Sequence, residues 1–157
     1  MLNTLSLFTD GSVNTQTGIG YGAYLVITEL TSNANLAHQI KTKKFDNTSS
    51  TKLELQTLLW ALSDIPNTGQ HLIIYTDCQN IITLPQRRDR LEKNNYHSKK
   101  HIPLNNAELY RQFFNIIDNL SCEFVKVQGH KKSAQKTNID KTFSQVDQAA
   151  RKALRTG

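Results

Sequence analysis

Two short apolar runs that each end in an aspartate, LSLFTD (residues 5–10) and LIIYTD (residues 72–77), decide the fold. The first alternates its side chains with the two-residue period of a β-strand. The second is almost wholly apolar, which is typical of a short buried strand. An isolated buried carboxylate is costly unless a positive group compensates it. The sequence therefore predicts two strands whose aspartates, Asp10 and Asp77, need a positively charged partner.

The segments around these runs predict three further strands. After a turn rich in glycine (Gly11, Gly18 and Gly20), the run GYGAYLVITEL (residues 20–30) predicts a second strand, and residues 36–45 predict a third. The close spacing of the first three strands favours an antiparallel meander. A fifth strand is predicted at CEFVKV (residues 122–127).

Helical periodicity begins at about Ser50, where leucines recur at the spacing of an amphipathic helix that ends near Pro66. Other helices are predicted after Cys78 as far as Pro85, across residues 106–119, and beyond a polar loop that runs to about Thr142. The order of elements predicts an α/β fold in one domain, residues 1–157. Its sheet is mixed and five-stranded, an antiparallel meander followed by parallel strands, and helices cover it.

Two more acids lie on helical segments, Glu54 in TKLELQTLLWAL and Asp147 in FSQVDQAARKAL. Taken singly, Asp10 fits a turn residue before glycine and Asp77 fits a helix N-cap. Asp147 fits an ion pair with Arg151 at i+4. Glu54 is harder to explain alone, because its side of the helix faces partly toward the core. Together the four acids repel one another and raise each other's pKa values unless a cation lies between them.

Hard oxygen ligands select Mg2+ or Mn2+ over zinc, for which the sequence has no Cys or His cluster. Two such ions about 4 Å apart activate a water and stabilise the leaving oxygen in phosphoryl chemistry. The sequence thus predicts a metal site formed by four acids: Asp10, Glu54, Asp77 and Asp147.

Basic charge is concentrated in two segments of a chain whose net charge is +6. Residues 1–85 hold four Lys and Arg against six Asp and Glu, whereas residues 86–101 hold six against two and residues 126–155 hold eight against two. This distribution is expected for a protein that binds a polyanion, nucleic acid being the commonest. A solvated basic surface is the alternative.

Hydropathy and cysteine usage predict a cytoplasmic protein with no membrane partner; a monomer is expected, although neither feature bears on the oligomeric state. No run approaches the ~20 apolar residues of a membrane span, and the first residues lack the pattern of a secretory signal. Cys78 and Cys122 fit no metal-binding spacing, so both are expected to be reduced.

The sequence resembles the type 1 ribonuclease H family over nearly its whole length. The motifs that carry the resemblance are FTDGS (8–12), GYGAYL (20–25), KLELQTLLWAL (52–62), YTDCQN (75–80), VKVQGH (125–130) and VDQAARKAL (146–154). Each motif is weak alone, but six in register are specific. The resemblance implies a ribonuclease H-like fold and an endonuclease that cleaves the RNA strand of RNA–DNA hybrids. It also implies two Mg2+ ions, with Mn2+ as a substitute, and products with 5′-phosphate and 3′-hydroxyl ends.

The resemblance implies a role for each catalytic residue. Asp10 corresponds to the aspartate that bridges both metals. Glu54 and Asp77 correspond to ligands of the metal nearer the leaving group, and Asp147 to a ligand of the metal on the nucleophile side. His130 corresponds to a histidine that assists proton transfer or product release. Without the resemblance, a histidine in a polar loop is usually a surface residue.

Substrate-binding residues are expected in two places. The family has a basic protrusion that holds the DNA strand. Here it corresponds to residues 85–101, PQRRDRLEKNNYHSKKH, which are called the basic segment. The alternative is that this segment is a solvated helical hairpin. Its basic side chains are Arg87, Arg88, Arg90, Lys93, Lys99 and Lys100. The 2′-hydroxyls in a wide minor groove distinguish RNA from DNA, and the candidates for reading them are Gly11, Ser12, Ser50, Thr51 and Gln56.

The chain departs from the family pattern in ways that leave its substrate preference open. Seventeen positions separate His130 from Asp147, more than is usual, and the loop at 131–142 is markedly basic. Ser50 and Thr51 replace the usual Asn-Asn pair ahead of the helix glutamate. Three alternatives therefore remain: a module that binds hybrid or duplex RNA without cleaving it, a DNA-cutting or transposase-like nuclease, and the ribonuclease H domain of a retroelement-type protein. The presence of all four acids favours hydrolysis.

Overall fold

The computed structural model describes residues 4–28, 35–128 and 137–157. These residues form a five-stranded sheet in the order β3-β2-β1-β4-β5. The strands are β1 (Thr4–Asn14), β2 (Ile19–Ile27), β3 (Lys41–Phe45), β4 (His71–Thr76) and β5 (Cys122–Lys126). The first three are antiparallel neighbours, whereas β4 lies parallel to β1 and β5 lies parallel to β4. The predicted mixed sheet is therefore confirmed.

Six α-helices follow or interrupt the strands in the described part of the chain. They are α1 (Leu36–Gln39), α2 (Ser50–Asp64), α3 (Gln79–Thr83), α4 (Arg88–Lys93), α5 (Ala107–Ile117) and α6 (Asn138–Thr156). None of them combines the length and the apolar character that a membrane crossing requires.

The core lies in two layers, one on each face of the sheet. On one face, leucines of α2 such as Leu55 and Leu58 pack with Phe113 of α5 against β1 and β4. On the other face, α6 buries Val146 and Ala150 against β1 and β2. Each fully buried leucine contributes roughly 1.5–3 kcal/mol through the removal of apolar surface from water. Both layers fix the positions of the helices that carry acids.

The turn between β1 and β2 differs from the prediction. Gly11 and Gly20 lie inside the strands, and the turn itself spans residues 15–18 and ends at Gly18, whose φ is +73°. The strand glycines serve close packing instead, because a Cβ on either one would lie 2.8 Å from a methyl carbon of Leu53. α2 can therefore approach the sheet beside Asp10.

Three predicted boundaries are also corrected. The third strand starts at Lys41, because residues 36–39 form one helical turn. The chain does not leave helical structure at Pro85, because a 3-10 turn over residues 84–87 continues into α4 and proline is tolerated near the start of such a turn. α6 begins at Asn138, well before Thr142.

The early start of α6 has a local cause. Thr137 and Asp140 form a reciprocal capping box, in which the Asp140 backbone N–H donates to Thr137 Oγ1 at 3.2 Å and the Thr137 backbone N–H donates to Asp140 Oδ2 at 3.0 Å. Such a box satisfies N–H groups that the first turn of a helix leaves without partners.

Candidate active site

The register of the parallel strands β1 and β4 brings two acids to the same end of the sheet. Phe8 pairs with Tyr75, and their rings stack with centroids 4.6 Å apart. Asp10 lies two residues after Phe8 within β1, and Asp77 lies two residues after Tyr75, one position beyond the end of β4. Asp10 is only 4% exposed and Asp77 is more accessible.

Glu54 reaches the same place from the second turn of α2. Its carboxylate meets those of Asp10 and Asp77, so that one oxygen from each lies within 4.8 Å of the others. Glu54 is 8% exposed, and its Oε2 is buried without a hydrogen-bond partner among the residues that the structure describes. A buried acceptor left unmatched is costly, which marks this oxygen as a candidate cation ligand.

The pKa shifts of Asp10 and Glu54 also indicate a cation site. Burial is the largest cause of a raised pKa for Asp10, and repulsion from Glu54 adds to it. Burial likewise raises the pKa of Glu54, followed by repulsion from Asp77, while hydrogen bonds from Asp10 and the Gly11 backbone oppose the shift. Two neighbouring carboxyl groups are thus held away from their charged form, a cost that a bound cation removes.

Asp147 lies beside this trio of acids but is not part of it. A hydrogen bond between the carboxyl groups of Asp147 and Asp10 raises the pKa of Asp10. Electrostatic repulsion from Asp147 raises it further. The 4.8 Å cluster nevertheless excludes Asp147. Its Oδ1 accepts a hydrogen bond from Arg151 Nε at 3.1 Å, so the ion pair expected at i+4 is present. α6 therefore places Asp147 next to the cluster in a competing ion pair.

The donor set fits a hard divalent cation. It consists of carboxylate oxygens, the ligands that Mg2+ and Mn2+ prefer. Asp10, Glu54 and Asp77 would hold such an ion, with Asp147 at the border of the site. The unmatched Glu54 Oε2 and the raised pKa values are features of this chain that such an ion would relieve.

The residues proposed to read 2′-hydroxyls lie on elements that carry the acids. Gly11 and Ser12 continue β1 directly after Asp10, while Ser50 and Thr51 form the first turn of α2 ahead of Glu54. Gln56 is anchored by Thr48, whose hydroxyl donates to Gln56 Oε1 at 2.7 Å.

Thr48 is a residue that the sequence did not single out. It precedes α2 by two positions and is buried, and no sequence signal pointed to it.

Basic side chains of the basic segment fall into two groups. Arg87 and Arg88 have partners within the protein: Arg87 Nη2 donates to the Asn80 carbonyl at 2.8 Å, and Arg88 binds Asp118. The exposed group comprises Arg90, Lys93, Lys99 and Lys100. Lys93 and Lys99 also line an open hollow of about 540 Å3 at the tip of the segment.

A lysine and two cysteines lie on β5 or just after β4. Lys126, at the end of β5, donates a hydrogen bond to Gln79 Oε1, two residues after Asp77; this contact was not foreseen. Cys78 and Cys122 are free thiols, and burial raises the pKa of both above its usual value. The predicted His130 lies outside the described residues, as do residues 131–136 of the basic loop.

The chain is similar to known proteins in sequence and in fold. The RNase H family model matches residues 3–155. Ribonucleases H from two strains of Clostridium botulinum (Hall and ATCC 19397) are each 27% identical over 106 residues, which covers 66% of this chain and 70% of each relative.

Among solved structures, a type 1 RNase H with the type 2 active-site motif, LC9-RNase H1, superposes with a TM-score of 0.72 at 18% identity, over 98% of this chain and 72% of that one. A foamy viral protease–reverse transcriptase in complex with double-stranded DNA gives 0.63 at 8% identity, over 94% and 93%. At these low identities, the two solved structures show only that the fold is shared. The family model matches the sequence itself over almost every residue. The chain belongs to the RNase H family.

Proposed function

We propose that this protein is a metal-dependent endoribonuclease that hydrolyses the RNA strand of RNA–DNA hybrids and leaves 5′-phosphate and 3′-hydroxyl ends. One observation carries the proposal: three carboxylates from separate elements meet within 4.8 Å, and one of their buried oxygens has no hydrogen-bond partner in the described structure. Family membership supports ribonuclease H activity, and the cluster supplies the groups that such hydrolysis needs.

The positions of the four acids suggest a different role for each in holding the cations. Asp10, the most buried, faces both Glu54 and Asp147 and is the natural shared ligand of two ions. Glu54 and Asp77 would hold the ion nearer the leaving group and Asp147 the ion on the nucleophile side, where Arg151 competes for the Asp147 carboxylate. When bound, two Mg2+ or Mn2+ ions activate a water and stabilise the leaving oxygen of the phosphodiester.

Selection of the hybrid is proposed to rest on two surfaces. Exposed lysines and arginines of the basic segment contact backbone phosphates, which position a duplex without reading its sequence. Hydrogen-bonding groups beside Asp10 and Glu54 contact 2′-hydroxyls, which only RNA carries. Gln56 is a candidate whose side-chain oxygen accepts a hydrogen bond from Thr48, which leaves its amide N–H groups to donate to a 2′-hydroxyl. His130 is proposed to assist proton transfer or product release.

The test is a panel of end-labelled duplexes of one sequence, incubated with Mg2+ or with Mn2+: an RNA–DNA hybrid, double-stranded RNA and double-stranded DNA. We expect cleavage of the RNA strand of the hybrid alone, and mass spectrometry should find 5′-phosphate and 3′-hydroxyl ends. Cleavage of DNA, or 2′,3′-cyclic phosphate products, would contradict the proposal. Hybrid binding without products in either metal would favour the non-cleaving module instead.

A further inference from the structure

The basic segment leaves the sheet after β4 and returns to it through α5, and one side chain joins its base to the far end of α5. Arg88 Nη1 and Nη2 donate to the two carboxylate oxygens of Asp118 at 2.5 and 2.9 Å, a bidentate pair. Arg88 Nε donates to Glu92 at 2.6 Å. The guanidinium plane also lies over the ring of Phe114, 4.8 Å from its centroid.

These contacts leave Arg88 poorly suited to hold a phosphate. All three of its nitrogens already donate to carboxylates, and the aromatic ring covers one face of the guanidinium. Within this cluster one positive charge faces the two negative charges of Glu92 and Asp118, so the cluster by itself does not attract a phosphate. Arg88 therefore differs from Arg90 and the lysines of the same segment, whose side chains are exposed.

The position of Asp118 is itself informative. It is the C-cap of α5, where the helix dipole disfavours an acidic side chain. Glu92 occupies a comparable place in the last turn of α4. An acid at such a place stabilises the protein only if a cation binds it, and here that cation is Arg88. Its hydrogen bonds lower the pKa of Asp118 from the usual carboxyl value.

Two further arginine–aromatic contacts attach the same segment to α5. The Arg111 guanidinium of α5 lies 4.5 Å from the ring centroid of Tyr96, which is buried at the far end of the segment. Arg87 lies 5.9 Å from the ring of Tyr110. The segment is thus fixed to α5 at Arg87, Arg88 and Tyr96; Arg90 and Lys93 lie between these attachments, and Lys99 and Lys100 follow Tyr96.

We propose that Arg88 is a positioning residue: its bidentate pair with Asp118 fixes the basic segment on α5, so that the exposed lysines and Arg90 face the substrate, and it does not itself contact a phosphate. The consequence for substrate affinity rests on the proposed hybrid-cleaving function. The attachment of the segment to α5 does not, and it can be measured without any substrate.

The test compares Asp118→Ala with Asp89→Ala, which removes the same charge from an exposed position next to Arg88 in sequence. If Arg88 positions the segment, Asp118→Ala raises KM for the hybrid about two- to fivefold, the range of an exposed ion pair expressed as an equilibrium constant. The value of kcat should not change, Tm should fall by no more than about 4 °C, and Asp89→Ala should leave KM at or below the wild-type value. If Arg88 instead contacts phosphate, Asp118→Ala releases it and lowers KM, which overturns the inference.

Arg88→Lys provides a second variant. A lysine keeps the charge that a phosphate contact needs but loses the bidentate fork, so a positioning role predicts a raised KM and a phosphate contact predicts an unchanged one. Hydrogen exchange of backbone amides in residues 88–104 gives a readout without nucleic acid. We expect faster exchange there in Asp118→Ala than in Asp89→Ala, and equal exchange refutes the attachment. A wild-type protein that neither binds nor cleaves hybrid would refute the proposed function alone.

Discussion

Asp10 and Glu54 face each other between β1 and α2, both buried, and no lysine or arginine of the described chain forms a salt bridge with either. Burial is the largest cause of the raised pKa of both groups; repulsion from Glu54 adds to the shift of Asp10, and repulsion from Asp77 adds to that of Glu54. Such a pair stores an electrostatic cost in the folded protein that a divalent cation relieves.

Metal binding should release protons. Because the pKa values of Asp10 and Glu54 are raised, a fraction of the site is protonated at neutral pH, and a cation must displace those protons. Affinity for Mg2+ or Mn2+ therefore increases as pH rises. Calorimetric titrations at one pH in buffers of different ionisation enthalpy measure the protons released. An observed enthalpy that is independent of the buffer would contradict this prediction.

Glu54→Gln should stabilise the metal-free protein. A carboxyl group whose pKa is raised in the folded state contributes stability at low pH, below its ordinary value of 4.5, and loses it as pH increases through the raised pKa. In a chelating buffer at pH 8 we expect a gain of about 1–3 kcal/mol in the free energy of unfolding, as a buried charge is removed.

The matched control for that change is Glu108→Gln on the exposed surface of α5, which should change stability little. Urea denaturation at pH 5 and pH 8 measures both variants. A stabilisation by Glu54→Gln that did not grow with pH would argue against a raised pKa. With saturating Mg2+ the order should reverse, because the wild type then gains binding energy that the variant lacks.

Arg151→Gln should strengthen divalent-metal binding. Arg151 competes with the cation for Asp147, and loss of its charge frees the carboxylate. We expect a two- to fivefold lower Kd for Mn2+, about the scale of one exposed ion pair. Lys152→Gln removes the same charge from the next residue and serves as the control in Mn2+ titrations followed by electron paramagnetic resonance. An equal gain in both variants would assign the effect to general charge.

Strong periodicity made α2 and the strands predictable. The leucines of α2 recur at helical spacing, and they are buried as expected. The acids could also be found, because Asp10, Glu54 and Asp77 interrupt or end apolar runs. Their meeting depends on the parallel register of β1 with β4, which family resemblance supplied and the strand patterns alone did not.

The errors arose where a local signal had two physical meanings. Gly11 and Gly20 suggested a turn, but glycine also allows close packing, which is its use against Leu53. Pro85 suggested a helix end, but proline also fits the start of a helical turn. The partner of Arg88 lies thirty residues away at Asp118, a distance at which no sequence pattern predicts an ion pair.

Asp140→Ala should destabilise the helix that carries Asp147. The capping box between Asp140 and Thr137 satisfies backbone N–H groups at the start of α6. We expect a loss of about 1 kcal/mol in the free energy of unfolding, the usual cost of removing a cap. Thr137→Ser keeps the hydroxyl acceptor and is the control. Chemical denaturation measures both, and an Asp140→Ala protein as stable as the wild type would show that the cap does not hold α6.

The most direct measurement compares the rate of RNA cleavage in a labelled RNA–DNA hybrid by the wild type and by Asp10→Asn, each with Mg2+ and each with a chelator. The substitution keeps the size of the side chain and removes the carboxylate of Asp10, the acid that faces both Glu54 and Asp147. We expect the wild type to cleave the RNA in Mg2+ only, and we expect the cleavage rate of Asp10→Asn to be at least about a hundredfold lower. Undiminished cleavage by Asp10→Asn, or cleavage by the wild type in chelator, would contradict it.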